Sequence, residues 1–221
     1  MSERPGGRES EPGPSGPAGG QEREARSAPY DPSTALIVTD IQNDFADPDG
    51  SLYVRDAESV IDVANAEIGV ARGARALVVY TQDWHPPDTP HFAKDGGIWP
   101  VHCVGGTWGA ELHPRLTIVE SERTRKGTHG EDGYSAFTMA DPVSRETYPT
   151  GLDSLLRERR IQRVVILGLA TDYCIRATAF DAVALGYDAT VVAEGVRPVE
   201  LEPGDGQRAL GEMTAAGVTL A

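Results

Sequence analysis

Residues 164–174 read Val164-Val165-Ile166-Leu167-Gly168-Leu169-Ala170-Thr171-Asp172-Tyr173-Cys174, and Ile175-Arg176-Ala177-Thr178-Ala179-Phe180-Asp181-Ala182 follows. The opening run is short, apolar and rich in β-branched residues, the pattern of a parallel strand buried on both faces. A turn through Gly168, Thr171 and Asp172 comes next, after which Ile175, Ala179, Ala182 and Val183 recur at helical spacing. Cys174 therefore falls where a strand feeds the first turn of a helix. Free N–H groups and the positive end of the helix dipole are expected to lower a thiol's pKa there and to offer donors to an oxyanion. The plainer alternative is a small buried apolar side chain, which is what most free cysteines are.

Outward from this stretch, strands and helical patterns alternate. Strands are expected at 35–39, 76–80 and 189–193, with a weaker candidate at 116–119. Helical periodicity marks 57–74 (Val60, Ala64, Ile68 and Ala71 on one face), 152–160 and 206–216. Such alternation indicates right-handed βαβ units around a mostly parallel sheet. A long segment over 84–109 carries three histidines (His85, His91 and His102) with Trp84, Phe92 and Trp99, and its aromatic content predicts an ordered, functional loop.

The bulk properties narrow the partners. The 221 residues suit one α/β domain, expected over 30–221. Residues 1–29 contain no aromatic and no β-branched residue and are read as a disordered Gly/Pro/Glu/Arg-rich tail. A formal charge of −14 argues against nucleic acid or an anionic membrane as partner. Two cysteines make no disulfide framework, no run nears the ~18 apolar residues of a membrane span, and the N-terminus lacks a signal-peptide core. Together these predict a cytoplasmic protein acting on a small molecule, with a homo-oligomer left open.

Ligands of open α/β sheets bind beyond the carboxyl ends of the strands, where Asp40, Asp83 and Cys174 all fall. A thiol nucleophile needs a base for its proton and a cation for the resulting charge. Asp40 can be that base, and Lys126 can be that cation if the fold brings it near.

Ile37-Val38-Thr39-Asp40-Ile41-Gln42-Asn43-Asp44-Phe45, then Lys126-Gly127, then Gly168-Leu169-Ala170-Thr171-Asp172-Tyr173-Cys174 resemble the three motif blocks of the isochorismatase-like cysteine hydrolases, in the family's order. The resemblance implies a three-layer α/β/α fold and an Asp–Lys–Cys triad of Asp40, Lys126 and Cys174 that cleaves an amide. It also implies a cis peptide at Leu169–Ala170, turning the N–H groups of Ala170 and Cys174 toward one oxyanion.

Asp83 and His85 stand on alternate residues just past a strand, and His102 follows. Asp plus two His suits a divalent transition metal. The pattern resembles the metal-binding D-x-H…H of the nicotinamidase subgroup. This implies one metal at Asp83, His85 and His102 (zinc before iron or manganese), with His91 either a fourth ligand or a neighbour. The adjacent Cys103 is read as a packed structural thiol.

The same resemblance makes Phe45, Trp99 and Tyr134 walls of a flat aromatic slot. The implied reaction is hydrolysis of nicotinamide to nicotinate and ammonia through a Cys thioester, a step of NAD salvage, with pyrazinamide as a second amide. The rivals are a metal-independent amidohydrolase for carbamoyl or ureido compounds and a non-catalytic binding member. The polar, acidic segment 127–132 departs from the pattern and is expected to reshape the entrance beside Lys126.

Overall fold

The structure is a computed structural model and describes residues 30–120 and 122–221. The expected tail at 1–29 lies outside the described residues. In chain order come β1 (Thr34–Thr39), α1 (Asn43–Ala46), α2 (Ala57–Gly73), β2 (Leu77–Asp83), β3 (Glu122–Lys126), β4 (Thr138–Ala140) and β5 (Thr147–Pro149). Then follow α3 (Leu152–Glu158), β6 (Arg163–Leu169), a π-helical turn (Thr171–Ile175), α4 (Arg176–Ala184), β7 (Asp188–Arg197), α5 (Asp205–Ala215) and β8 (Thr219–Leu220).

Six strands form one sheet in the order β3-β2-β1-β6-β7-β8, and every pair in it is parallel. Alternation along the central strands divides the core into two layers. Leu36, Val38, Val165, Leu167 and Leu169 pack toward Val60, Ala64 and Ile68 of α2. Ala35, Ile37, Val164 and Ile166 pack toward Leu152 and Leu156 of α3, Ala179 and Ala182 of α4, and Ala209 and Met213 of α5. The arrangement is three-layer α/β/α. Among the described residues no helix is long and apolar enough to cross a membrane.

The chain leaves β1 toward β2 and β3 on one side and later fills β6, β7 and β8 on the other. The switch point lies between the carboxyl ends of β1 and β6, where a crevice opens. Gly168 makes the close pairing there feasible: it stands opposite Thr39 at φ +120°, and a Cβ on it would lie 2.0 Å from the Thr39 carbonyl oxygen.

The strand expected at 116–119 is not one. Leu116 is buried, but the segment is irregular and held by Tyr80, whose hydroxyl donates to Thr117 O (2.8 Å) and accepts the Val119 N–H (3.2 Å). The strand that follows is β3, Glu-Arg-Thr-Arg-Lys, with Thr124 and Lys126 turned inward and Arg123 and Arg125 exposed. Its buried positions are Thr124 and Lys126, neither of them apolar, so no hydrophobic run marks it. The hairpin β4–β5, two short half-exposed or exposed strands, escapes sequence patterning for the same reason.

Candidate active site

Three strand ends converge on the crevice. Asp40 leaves β1 with φ 49°, in the left-handed region that non-glycine residues seldom occupy, and its side chain is fully buried. Asp83, last in β2, stands in register beside Lys126, last in β3, so the two side chains emerge as neighbours. Cys174 lies in the π-helical turn beyond β6.

Lys126 has no solvent exposure, and its ammonium group is the hub. It lies 2.6 Å from Asp40 Oδ2, 3.0 Å from Asp83 Oδ1 and 3.6 Å from Cys174 Sγ, and it donates to Gly133 O at 2.5 Å. Thr81 donates its hydroxyl to the other Asp40 oxygen at 2.6 Å. Asp40, Asp83 and Cys174 present ligand atoms all within 4.8 Å of one another. Asp40, Lys126 and Cys174 are therefore brought into one buried cluster.

Its electrostatics differ in one respect from the expectation at a helix start. Burial pushes the Cys174 thiol well above the usual range; Lys126 offsets part of this, and the carboxylates of Asp40 and Asp83 add to it. The resting thiol is therefore neutral, not the depressed thiolate that a helix N-terminus alone predicts. Burial also raises Asp40, against the pull of Lys126. For Lys126, burial alone acts downward, but Asp40 and Asp83 outweigh it and hold the ammonium charged. Asp83 stays well below the carboxylate range because Lys126, His102 and His85 overcome its burial.

Beside this cluster the long loop delivers three buried imidazoles. His85, His91 and His102 present ring nitrogens within 4.8 Å of one another, and Asp83 Oδ2 lies 3.8 Å from Nε2 of both His85 and His102. His102 Nδ1 donates to Pro100 O (2.8 Å) and His91 Nδ1 donates to Asp132 Oδ1 (2.7 Å), which leaves Nε2 of each ring as the free lone pair. Neither ring nitrogen of His85 has a hydrogen-bond partner although both are buried. An orphaned imidazole beside a carboxylate and two oriented histidines is a donor set that fits a divalent transition metal. Gln42 fixes the anchor strand: its amide donates to Asp83 O (2.7 Å) and Ala110 O (2.9 Å) and accepts the Asp83 N–H (2.8 Å). Cys103 is the packed thiol expected of it, fully buried, with burial raising its pKa.

An aromatic slot joins the two clusters. Phe45, Trp99 and Tyr134 all line it, together with Tyr173, Cys174 and Ala170. Trp99 donates its indole N–H to the Tyr134 hydroxyl (2.9 Å) and meets the Tyr173 ring edge-on at 4.8 Å between centroids. Phe45 lies 5.3 Å from the His102 ring. The Leu169–Ala170 peptide is cis, as the resemblance implies. Tyr173, Thr81 and Gln42 were not singled out from sequence. Tyr173 precedes the candidate nucleophile, and Thr81 shares the strand face of Asp83 two residues on, so both signals were present.

The arrangement brings a thiol, a carboxylate, a buried ammonium group, a carboxylate-and-imidazole cluster and an aromatic cleft into one crevice. The isochorismatase domain model matches residues 34–221. The chain is 38% identical over 206 residues to a nicotinamidase of Escherichia coli (strain K12), covering 86% of this chain and 94% of the relative. Among solved structures, PnC1 of L. infantum in complex with nicotinate superposes with a TM-score of 0.77 at 35% identity, covering 85% of this chain and 91% of that one. The pyrazinamidase of Pyrococcus horikoshii in complex with zinc gives 0.76 at 36% identity, covering 86% and 98%.

Proposed function

The chain belongs to the isochorismatase domain family, and on that premise we propose that it hydrolyses nicotinamide to nicotinate and ammonia, and deamidates pyrazinamide as well. The observation that carries this reading is the meeting of Asp40, Lys126 and Cys174 at one end of an aromatic slot whose side is formed by Asp83, His91 and His102.

Cys174 Sγ attacks the carboxamide carbon while its proton passes to Asp40. Because burial raises both groups, the thiol stays protonated until substrate arrives, and Asp40 is a stronger base than an exposed carboxylate. Lys126, always charged, stabilises the anionic pair without itself giving up a proton. The N–H groups of Ala170 and Cys174 hold the oxyanion. Collapse expels ammonia, protonated by Asp40, and leaves a thioester. Asp40 then takes a proton from the incoming water, nicotinate departs, and the thiol regains its proton.

Asp83, His85 and His102, with His91, would hold a divalent transition metal, zinc before iron or manganese. Such a metal supplies a Lewis-acid anchor for the pyridine nitrogen. The walls Phe45, Trp99, Tyr134 and Tyr173 hold the ring flat. Two free thiols, Cys103 and Cys174, fit a cytoplasmic setting.

The test is ammonia release from nicotinamide by metal-replete protein, by chelator-treated protein and by chelated protein given zinc back. Chelation is expected to lower kcat/KM by about 10²-fold or more, as loss of a Lewis acid worth several kcal/mol requires, and zinc to restore it. Activity on ureido compounds that survives chelation would replace this reading with the metal-independent one. Tyr173→Ala removes an edge-on aromatic contact and is expected to raise KM about 3- to 10-fold with little change in kcat, read from steady-state kinetics.

A further inference from the structure

Residues 127–132, the acidic departure beside Lys126, fold against the histidine cluster and join the loop that carries His91. Gly127, at φ +71°, lies so close to His85 that a Cβ would meet its Cε1 and Nδ1 at 2.5 Å. Thr89 donates its hydroxyl to Gly130 O (2.8 Å) and accepts the His91 N–H (3.2 Å). Asp132 closes the segment with a divided carboxylate: Oδ1 takes the His91 Nδ1–H at 2.7 Å, and Oδ2 takes an Arg145 N–H at 3.1 Å.

Both partners of Asp132 are placed by other elements. Its backbone pairs in both directions with Ala140 of β4, at 2.7 and 3.0 Å. Arg145 sits in the β4–β5 turn, closed by Asp141 N–H to Glu146 O at 2.8 Å. Exposure runs outward along the chain of contacts, 4% for the His91 side chain, 12% for Asp132 and 74% for Arg145. The guanidinium thus remains solvated while it occupies one carboxylate oxygen and leaves the other to the imidazole.

We infer that Asp132 is a positioning residue: steadied by Arg145 and the β4–β5 hairpin, its carboxylate fixes the His91 ring so that Nε2 completes a four-residue metal site with Asp83, His85 and His102. A carboxylate on the far nitrogen of a metal-binding histidine sets its tautomer and orientation and makes it a better donor. The inference rests on the metal-site reading above. It gives the acidic segment a purpose that the triad and slot do not require.

The test is zinc affinity by competition with a chromophoric chelator, measured on wild type, Asp132→Ala, Asp132→Asn, Arg145→Ala, His91→Ala and the His91→Ala/Asp132→Ala double variant. Asp132→Ala is expected to weaken zinc binding by about 10- to 100-fold. Asp132→Asn should recover much of this, because an amide oxygen still accepts from Nδ1. Arg145→Ala, a surface change that leaves the core untouched, should weaken zinc by a few-fold. In the His91→Ala background, loss of Asp132 should add almost nothing, because the two act as one unit. Wild-type affinity in Asp132→Ala, or losses that multiply in the double variant, would overturn the inference. Wild type that binds no zinc would overturn the metal-site reading itself, so the two failures are told apart.

Discussion

Replacing Cys174 with alanine is expected to reduce nicotinamide hydrolysis by roughly 10³- to 10⁶-fold, the range over which removing a covalent nucleophile leaves only binding and oxyanion stabilisation. The fold should survive. Sγ lies 3.6 Å from Lys126 Nζ, and its removal leaves the ammonium still paired with Asp40 at 2.6 Å and Asp83 at 3.0 Å. The slot walls do not depend on the thiol either, so nicotinamide should still bind. Ammonia release, nicotinamide binding by calorimetry, and intact mass after acid quench of a turning-over sample form the test. A mass increment matching the acyl group should appear in wild type and be absent from the variant. Residual activity within ten-fold of wild type would remove Cys174 from the mechanism.

The thiol also illustrates what a sequence conceals. Its place after a buried strand was legible, because Val164-Val165-Ile166-Leu167 can only be a strand with no solvent face. Its protonation state was not, since the helix start is visible in the pattern while burial and the two nearby carboxylates are not. Lys126 shows the same division. The Lys-Gly pair was readable as a motif, yet the strand that carries it was missed because Glu122-Arg123-Thr124-Arg125-Lys126 is an edge strand without apolar alternation. Once its register against β2 is known, the contact with Asp83 follows directly. Asp132 lies at the far limit of legibility: a loop acid whose partner His91 is 41 residues earlier has no local signature at all. The central buried strands and the motif residues that meet in the crevice were legible, while the polar edge strand, the neutral thiol and the Asp132–His91 pairing were not.

Lys126→Met should carry the largest stability effect of any single substitution at the site. The ammonium is fully buried and neutralises two carboxylates that are themselves buried, Asp40 at 0% and Asp83 at 5% exposure. Removing one partner of a buried ion pair costs about 3–5 kcal/mol, because the remaining charge has neither water nor counter-ion. For a domain of this size that corresponds to a fall of about 6–20 °C in Tm. The protein's escape is to protonate Asp40, which burial already raises and which Lys126, with the Thr81 hydroxyl, holds down. A group whose folded pKa is raised contributes stability that is present below its unfolded pKa and lost as pH rises through the folded one. The Tm gap between wild type and Lys126→Met should therefore be small near pH 4 and widen steadily toward pH 8. Catalysis should fail with the opposite pH trend, since a protonated Asp40 cannot accept the Cys174 proton and regains that capacity only as pH rises; a loss of about 10³-fold or more at neutral pH is expected for removal of both the cation and the base it keeps ionised. Melting curves and ammonia release over that pH range test both halves. A Tm gap independent of pH would mean that Asp40 does not carry the stranded charge, and the coupling of Lys126 to Asp40, on which the proposed proton transfer depends, would have to be abandoned.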